Sequence, residues 1–277
     1  MSMVIGTNVA SLTAQRHLAS SRIDMETSME RLSSGSKINS AMDNAAGLAI
    51  SKRMDAQVQG LNQAINNAND GISMLQTAEG GLEQTTDILL RMRELAVQAS
   101  SGTYIQSDRD NMDLEFQELE AEITRISDQT TFNGTKVLDP ATAVVTFQVG
   151  SATTDTIAVT LQAMGADVIG TSSTFLDDDD VLTTAKALLS ITSIDTALKQ
   201  VSDYRGDLGA VSNRLTHTVE NLMNRVENTS SAQSRIQDTD FAVESANLAK
   251  AQVLQQAGTA MLAQANQSGQ AVLSLLK

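Results

Sequence analysis

Residues 58–96 read VQGLNQAINNANDGISMLQTAEGGLEQTTDILLRMRELA. Within them Val58, Leu61, Ile65, Ala68, Ile72, Leu75, Leu82, Leu89, Met92 and Ala96 are separated only by steps of three, four or seven. Side chains spaced this way share one face of an α-helix, and a face this narrow is a coiled-coil seam rather than a broad globular surface. As one helix, about forty residues at roughly 1.5 Å rise make a rod of about 60 Å. Gly80 and Gly81 fall inside it and each costs about 1 kcal/mol against Ala, which predicts a local weakness or bend. Ser100-Ser101-Gly102 ends the segment.

The same signal returns further on. Leu188, Ile191, Ile194, Leu198, Val201, Leu208, Val211, Leu215, Val219, Leu222 and Val226 step by threes, fours and one seven, after the acidic run Asp177-Asp178-Asp179-Asp180. Between the two seams, Ser107 and Asp110 resemble a capping box. It opens a helix through Leu114, Leu119, Ile123 and Ile126, and Phe132-Asn133-Gly134 closes that helix in a turn. Residues 136–175 change period. Val137, Val144-Val145, Phe147 and Val149, then Ile157, Val159 and Leu161, alternate among Thr-rich neighbours and predict one or two β-hairpins in an exposed insert.

The chain ends carry sparser stripes. Residues 5–32 place Ile5, Val9, Leu12, Leu18, Met25, Met29 and Leu32 at helical spacing; residues 241–276 do so with Phe241, Leu248, Leu254, Met261, Ala265, Val272 and Leu275. Residues 39–47 read as an irregular connector or a short, weak helix. The fold class that follows is mainly α: a long antiparallel helical bundle or coiled coil formed by both chain ends, with a small β-hairpin insert. The expected division is 1–44 with 236–277 as a terminal coiled-coil domain, 45–138 with 176–235 as a helical core, and 139–175 as the insert. Stripes this thin bury little area alone, so the terminal segments are expected to order only on assembly.

Composition agrees with thin helices. Of 277 residues 41% are hydrophobic but only 3% aromatic, and there is one Pro. A large rounded core, which leans on aromatic area, is disfavoured. A formal net charge of −14 argues against nucleic acid as partner. Without a run of about 18 apolar residues, membrane insertion is not expected. The N-terminus has no charged or apolar signal region, and by these features alone the chain reads as soluble and cytoplasmic. No Cys is present, so disulfides and thiol chemistry are excluded.

Chemistry is sparse. His17 and His217 have no partner motif and read as surface or seam positions. The run at Asp177 to Asp180 lacks the spacing of a calcium loop and reads as a solvated stretch near a helix N-terminus. The glycines fit neither a phosphate loop nor a dinucleotide fingerprint. No acid, base and nucleophile converge, so no enzyme, cofactor or metal is expected.

Several stretches closely resemble bacterial flagellins. Near the N-terminus these are Glu30-Arg31-Leu32-Ser33-Ser34-Gly35, Ile38-Asn39-Ser40-Ala41, Asp43 with Ala45-Ala46-Gly47, and Asn67-Ala68-Asn69-Asp70-Gly71-Ile72-Ser73. Arg93-Glu94-Leu95-Ala96-Val97-Gln98 and Thr131-Phe132-Asn133-Gly134 follow. Near the C-terminus stand Ala251-Gln252-Val253-Leu254-Gln255-Gln256-Ala257-Gly258-Thr259 and Leu262-Ala263-Gln264-Ala265-Asn266-Gln267. The resemblance covers most of residues 1–138 and 180–277. It departs at Gly269, where many relatives carry Pro, and in the shortness of the central insert.

The resemblance implies a subunit of the flagellar filament with a minimal central region, polymerising with itself for swimming motility. Its terminal helices would line the central channel, with assembly stripes at Val9, Leu12, Leu18, Met25, Leu32, Phe241, Leu248, Leu254, Met261, Val272 and Leu275. It implies type III export and an extracellular location, replacing the cytoplasmic reading. Implied partners are an export chaperone, hook-junction and cap proteins, and a Toll-like innate immune receptor contacting Arg91, Leu95 and Glu115. Candidate O-glycosylation positions are Ser151, Thr153, Thr171, Ser172, Ser173 and Thr174. The rival readings are a hook–filament junction protein and, in another class, the cytoplasmic helical hairpin of a chemotaxis receptor.

Overall fold

The computed structural model describes residues 7–140, 144–171 and 174–274, with side chains described except at 171, 174, 175, 178 and 268–274. In chain order the elements are α1 (Val9–Ser34), α2 (Ala41–Ala99), α3 (Gln106–Gln129), β1 (Thr131–Phe132), β2 (Thr135–Lys136), β3 (Val144–Gln148) and β4 (Thr156–Thr160). They continue as β5 (Gly170–Thr171), β6 (Thr174–Phe175), a 3₁₀ turn η1 (Leu176–Asp178), α4 (Thr184–Gln237) and α5 (Phe241–Ser274). The fold is mainly helical, as the seams predict. It divides into two compact units: one from the chain ends, up to Val58 and from Glu227, and one comprising Gln59–Val226.

In the inner unit α2 and α4 run antiparallel, tied by Arg93 Nε to Asp195 Oδ1 at 2.7 Å and Arg205 Nη2 to Glu79 Oε1 at 2.7 Å. Helix α3 turns back along α2, and Arg91 Nη2 meets Glu115 Oε1 at 2.8 Å. Both seams supply the core. Leu61, Ala68, Leu75, Leu82, Leu89, Met92 and Ala96 are buried against Ile194, Val201, Leu208, Leu215, Val219 and Leu222, or against α3, in two apolar clusters. Phe116 and Tyr204 add the large buried rings. Each fully buried Leu, Ile, Val, Met or Phe side chain is worth about 1.5–3 kcal/mol, so the seams dominate the stability of this unit.

The hairpin β3–β4 is antiparallel, with Phe147 opposite Ile157 and Val145 opposite Val159. Its alternation buries Ile157 and Val159 while Thr156, Ala158 and Thr160 stay exposed. Asn67 Nδ2 donates to the Gln148 carbonyl at 3.1 Å, fastening the hairpin to α2. Phe147 packs where α2 has Gly71: a Cβ there would lie 3.3 Å from its ring and from Leu215 Cδ1. Pairs β1–β2 and β5–β6 are two-residue hairpins. The β1–β2 turn needs Asn133 (φ 49°) and Gly134 (φ 80°), the left-handed conformations that Asn-Gly favours.

Three local expectations are corrected. Helix α2 passes Gly80 and Gly81 without a break; Gly81 lets Leu138 approach, since a Cβ would sit 2.7 Å from Leu138 Cδ1. The irregularity expected over residues 39–47 is found at Asn44 (φ −165°, ψ 98°), after a short helical turn from Ala41. The cap of α3 lies at Ile105, whose N–H donates to Asp108 Oδ2 at 3.4 Å, rather than at Ser107. Leu188 and Leu114 are exposed at 57% and 63%, because Ala187, Ser190 and Phe116 occupy the inward positions beside them.

In the unit formed by the chain ends α1 and α5 pack antiparallel. Asn8 Nδ2 donates to the Ala265 carbonyl at 2.9 Å, Ser11 Oγ to Asn266 Oδ1 at 3.0 Å, and Leu18 lies over Gly258. Asn8 also caps α1 by accepting from Ser11 N, and Gly35 ends it with φ 71°.

Candidate assembly surfaces

The predicted terminal stripes separate into two groups. Leu18, Met25, Leu32 and Leu248 are half-buried. Val9 (66%), Leu12 (55%), Phe241 (57%), Leu254 (48%) and Met261 (64%) stay exposed, together with Ile23, Met29, Val243 and Val253. Val272 lies within α5 with its side chain outside the described residues, and Leu275 lies outside them entirely. The reason is volume. The inward positions are Ser11, Ser28, Ala251 and Gly258, so the helices approach closely and cover few large side chains. Among the described residues, no side chain of α1 or α5 belongs to either buried apolar cluster. Apolar side chains exposed on both helices are available to an associating surface.

Arg91 and Glu115 come together on the inner unit. Arg91 Nε donates to Glu115 Oε1 at 2.9 Å and Arg91 Nη1 to Glu94 Oε2 at 3.0 Å, and these bonds raise the guanidinium pKa. Leu95 is one helical turn along α2 but is 2% exposed and part of the core. Ser151 and Thr153 are exposed in the turn joining β3 to β4. Thr171 and Thr174 are backbone positions of β5 and β6, while Ser172 and Ser173 lie outside the described residues.

The acidic run is not uniformly solvated. Asp179 is 6% exposed, and Asp113, which accepts from Val181 N and Gln117 Nε2, is 5% exposed. Desolvation, then a hydrogen bond with Asp177, pushes the Glu120 carboxyl up to about 8. Helical spacing alone gives no sign of this cluster, because Asp113 and Glu120 sit among α3 residues that look solvent-facing. His217 is exposed and 3.2 Å from Glu220. A shallow groove of about 260 Å³ between α2 and α4 is lined by Leu75, Gln76, Glu79, Arg205 and Leu208.

Comparison with known proteins bears on these surfaces. Residues 5–143 match the bacterial flagellin N-terminal helical region, and residues 191–276 match the bacterial flagellin C-terminal helical region. The chain belongs to the bacterial flagellin family. It is 46% identical to a flagellin of Halalkalibacterium halodurans over 99% of this chain and 100% of that one. It is 41% identical to the flagellar filament 33 kDa core protein of Treponema phagedenis over the same shares. The crystal structure of Bacillus cereus flagellin aligns with 61% of this chain and 94% of its own, at 31% identity and a TM-score of 0.51. This flagellin is therefore a structural subunit that polymerises into the extracellular flagellar filament. No described helix is long and apolar enough to cross a membrane.

Proposed function

We propose that this flagellin enters the filament in layers. Residues 1–44 and 236–277 form the inner tube, ordered by assembly; residues 45–138 and 176–235 form the surrounding tube; residues 139–175 face outward. The observation that carries this is the set of exposed apolar side chains on α1 and α5, which among the described residues belong to neither buried apolar cluster. Many copies supply the missing area, so apolar burial and polymerisation are one event. The same labile ends suit an export chaperone before secretion and the junction and cap proteins at the filament's two ends.

Peptide-resolved hydrogen exchange, before and after salt-induced polymerisation, tests the layering. Residues 1–44 and 236–277 exchange freely in the monomer and become protected in the polymer. Ends already protected in a stable monomer return the reading to a self-contained bundle, and with it to a junction role.

The ion pair of Arg91 with Glu115 favours a second reading, a ligand of a Toll-like receptor. Both side chains are about half exposed and present paired charges on adjoining helices. With Leu95 in the core, a receptor would grip Arg91 and Glu115, while Leu95 holds the backbone beneath them. Arg91→Ala and Glu115→Ala monomers that keep their melting temperature and lose receptor signalling support this; unchanged signalling ends it. The hydroxyls of Ser151 and Thr153 are accessible to an O-linked sugar, which an unmodified filament-derived mass would rule out.

A further inference from the structure

The α1–α5 hairpin is built on small residues. Ser28, Ala251 and Gly258 at its interior permit close approach but specify register weakly, since one small residue can replace another after a slip, and the bonds of Asn8 and Ser11 to Ala265 and Asn266 act only at its far end. The chain nevertheless leaves and re-enters this hairpin at one tightly bonded place. Ser36 forms a β-bridge with Asp238, Lys37 N donates to the Gln237 carbonyl at 2.6 Å, and Thr239 N donates to the Gly35 carbonyl at 3.0 Å. The break between α1 and α2 and the break between α4 and α5 are thereby stitched to each other.

One turn into the helices on either side stand Arg31 and Glu244. Arg31 Nη1 lies 3.9 Å from Glu244 Oε2, with the side chains 27% and 9% exposed. Arg31 Nε is buried without a hydrogen-bond partner among the described residues. An ionic pair this sheltered contributes little net stability, because removing both charges from water offsets their attraction. Its discriminating power comes from what a slip leaves behind: moving α5 along α1 carries Glu244 away and leaves the partly sheltered Arg31 guanidinium with only Asp43, beyond ion-pair distance, as counter-charge. A single polar position inside an apolar coiled coil fixes register in the same way, at some cost in stability.

We propose that Arg31 and Glu244 are the register-setting pair of the terminal hairpin, positioning the exposed faces of α1 and α5 for neighbouring copies. The pair acts through α1 and α5 and is a positioning element rather than a polymer contact itself. The inference rests on the filament reading but goes beyond it, naming what selects one pairing of the terminal helices from many of similar packing.

Register can be read chemically, because the chain has no Cys. A Cβ at position 258 lies 3.8 Å from Leu18 Cβ, the usual separation across a disulfide. Leu18→Cys with Gly258→Cys, polymerised and treated with a mild thiol oxidant, closes an intrachain bond only in the native register. Its yield is measured by mass spectrometry in three backgrounds: the parent, Arg31→Glu, and Arg31→Glu with Glu244→Arg. Melting of the inner unit confirms folding in each. The expected result is near-complete closure in the parent, a several-fold loss in the single variant and recovery in the charge-swapped one. Equal closure in all three, absence of closure in the parent polymer, or failure of the swap to restore closure or polymerisation overturns the proposal. Failure of the unsubstituted chain to polymerise would instead overturn the filament reading.

Discussion

Glu120 of α3 and Asp177 of η1 hydrogen-bond through their carboxyl groups. Two carboxylates repel, so the bond persists only while a proton is held between them. Asp179 and Asp113 add negative charge from beyond η1 and from α3, and both are buried. Lys186 is engaged by Asp180 and also acts on Asp113, not on Glu120.

This sets a pH dependence. The Glu120 carboxyl moves from 4.5 to about 8 on folding. Its contribution to stability is fully present below about 4.5 and is lost as pH rises through about 8. Glu120→Gln, which stays neutral, lacks that loss. In urea unfolding across this range, the wild type falls behind the variant with rising pH and then runs parallel to it. Parallel curves throughout would contradict the shared proton.

Two glycines of α2 should respond oppositely. Gly80 faces open space, so Gly80→Ala raises stability by about 0.5–1 kcal/mol through helix propensity. Gly71 lies under Phe147 and Leu215, so Gly71→Val overpacks the site and costs about 1–3 kcal/mol. Thermal melts of the two variants on either side of the wild type are the check.

Leu95→Ala removes a side chain that is 2% exposed and lowers stability by about 2–5 kcal/mol. Denaturant unfolding of the monomer measures this directly. A loss much smaller than this would mean that Leu95 is not packed in the core.

Phe241→Ser with Met261→Ser removes two exposed apolar side chains, at 57% and 64% exposure. Melting of the inner unit stays where it was. The critical concentration for polymerisation, read by sedimentation, rises on the order of tenfold or more, since each buried side chain is worth about 1.5–3 kcal/mol. An unchanged critical concentration would remove these positions from the interface.

The sequence by itself determined the helices and the hairpin, because each rests on local periodicity. Steps of three, four and seven put Leu61 through Ala96 on one face whatever that face meets, and alternation does the same for Ile157 and Val159. Asn133-Gly134 determined its turn by tolerating positive φ. Tertiary structure alone decided which side chains of those faces find cover. Leu188 fits its seam by spacing and is exposed, while Asp113 and Asp179 look solvent-facing and are buried. It also decided the closeness of Gly71 to Phe147 and of Gly81 to Leu138, and the meeting of Arg31 with Glu244 across 213 positions of chain. Periodicity reports the direction in which a side chain points from its own helix. What it then touches depends on the volume and charge of a distant segment, which no local spacing encodes.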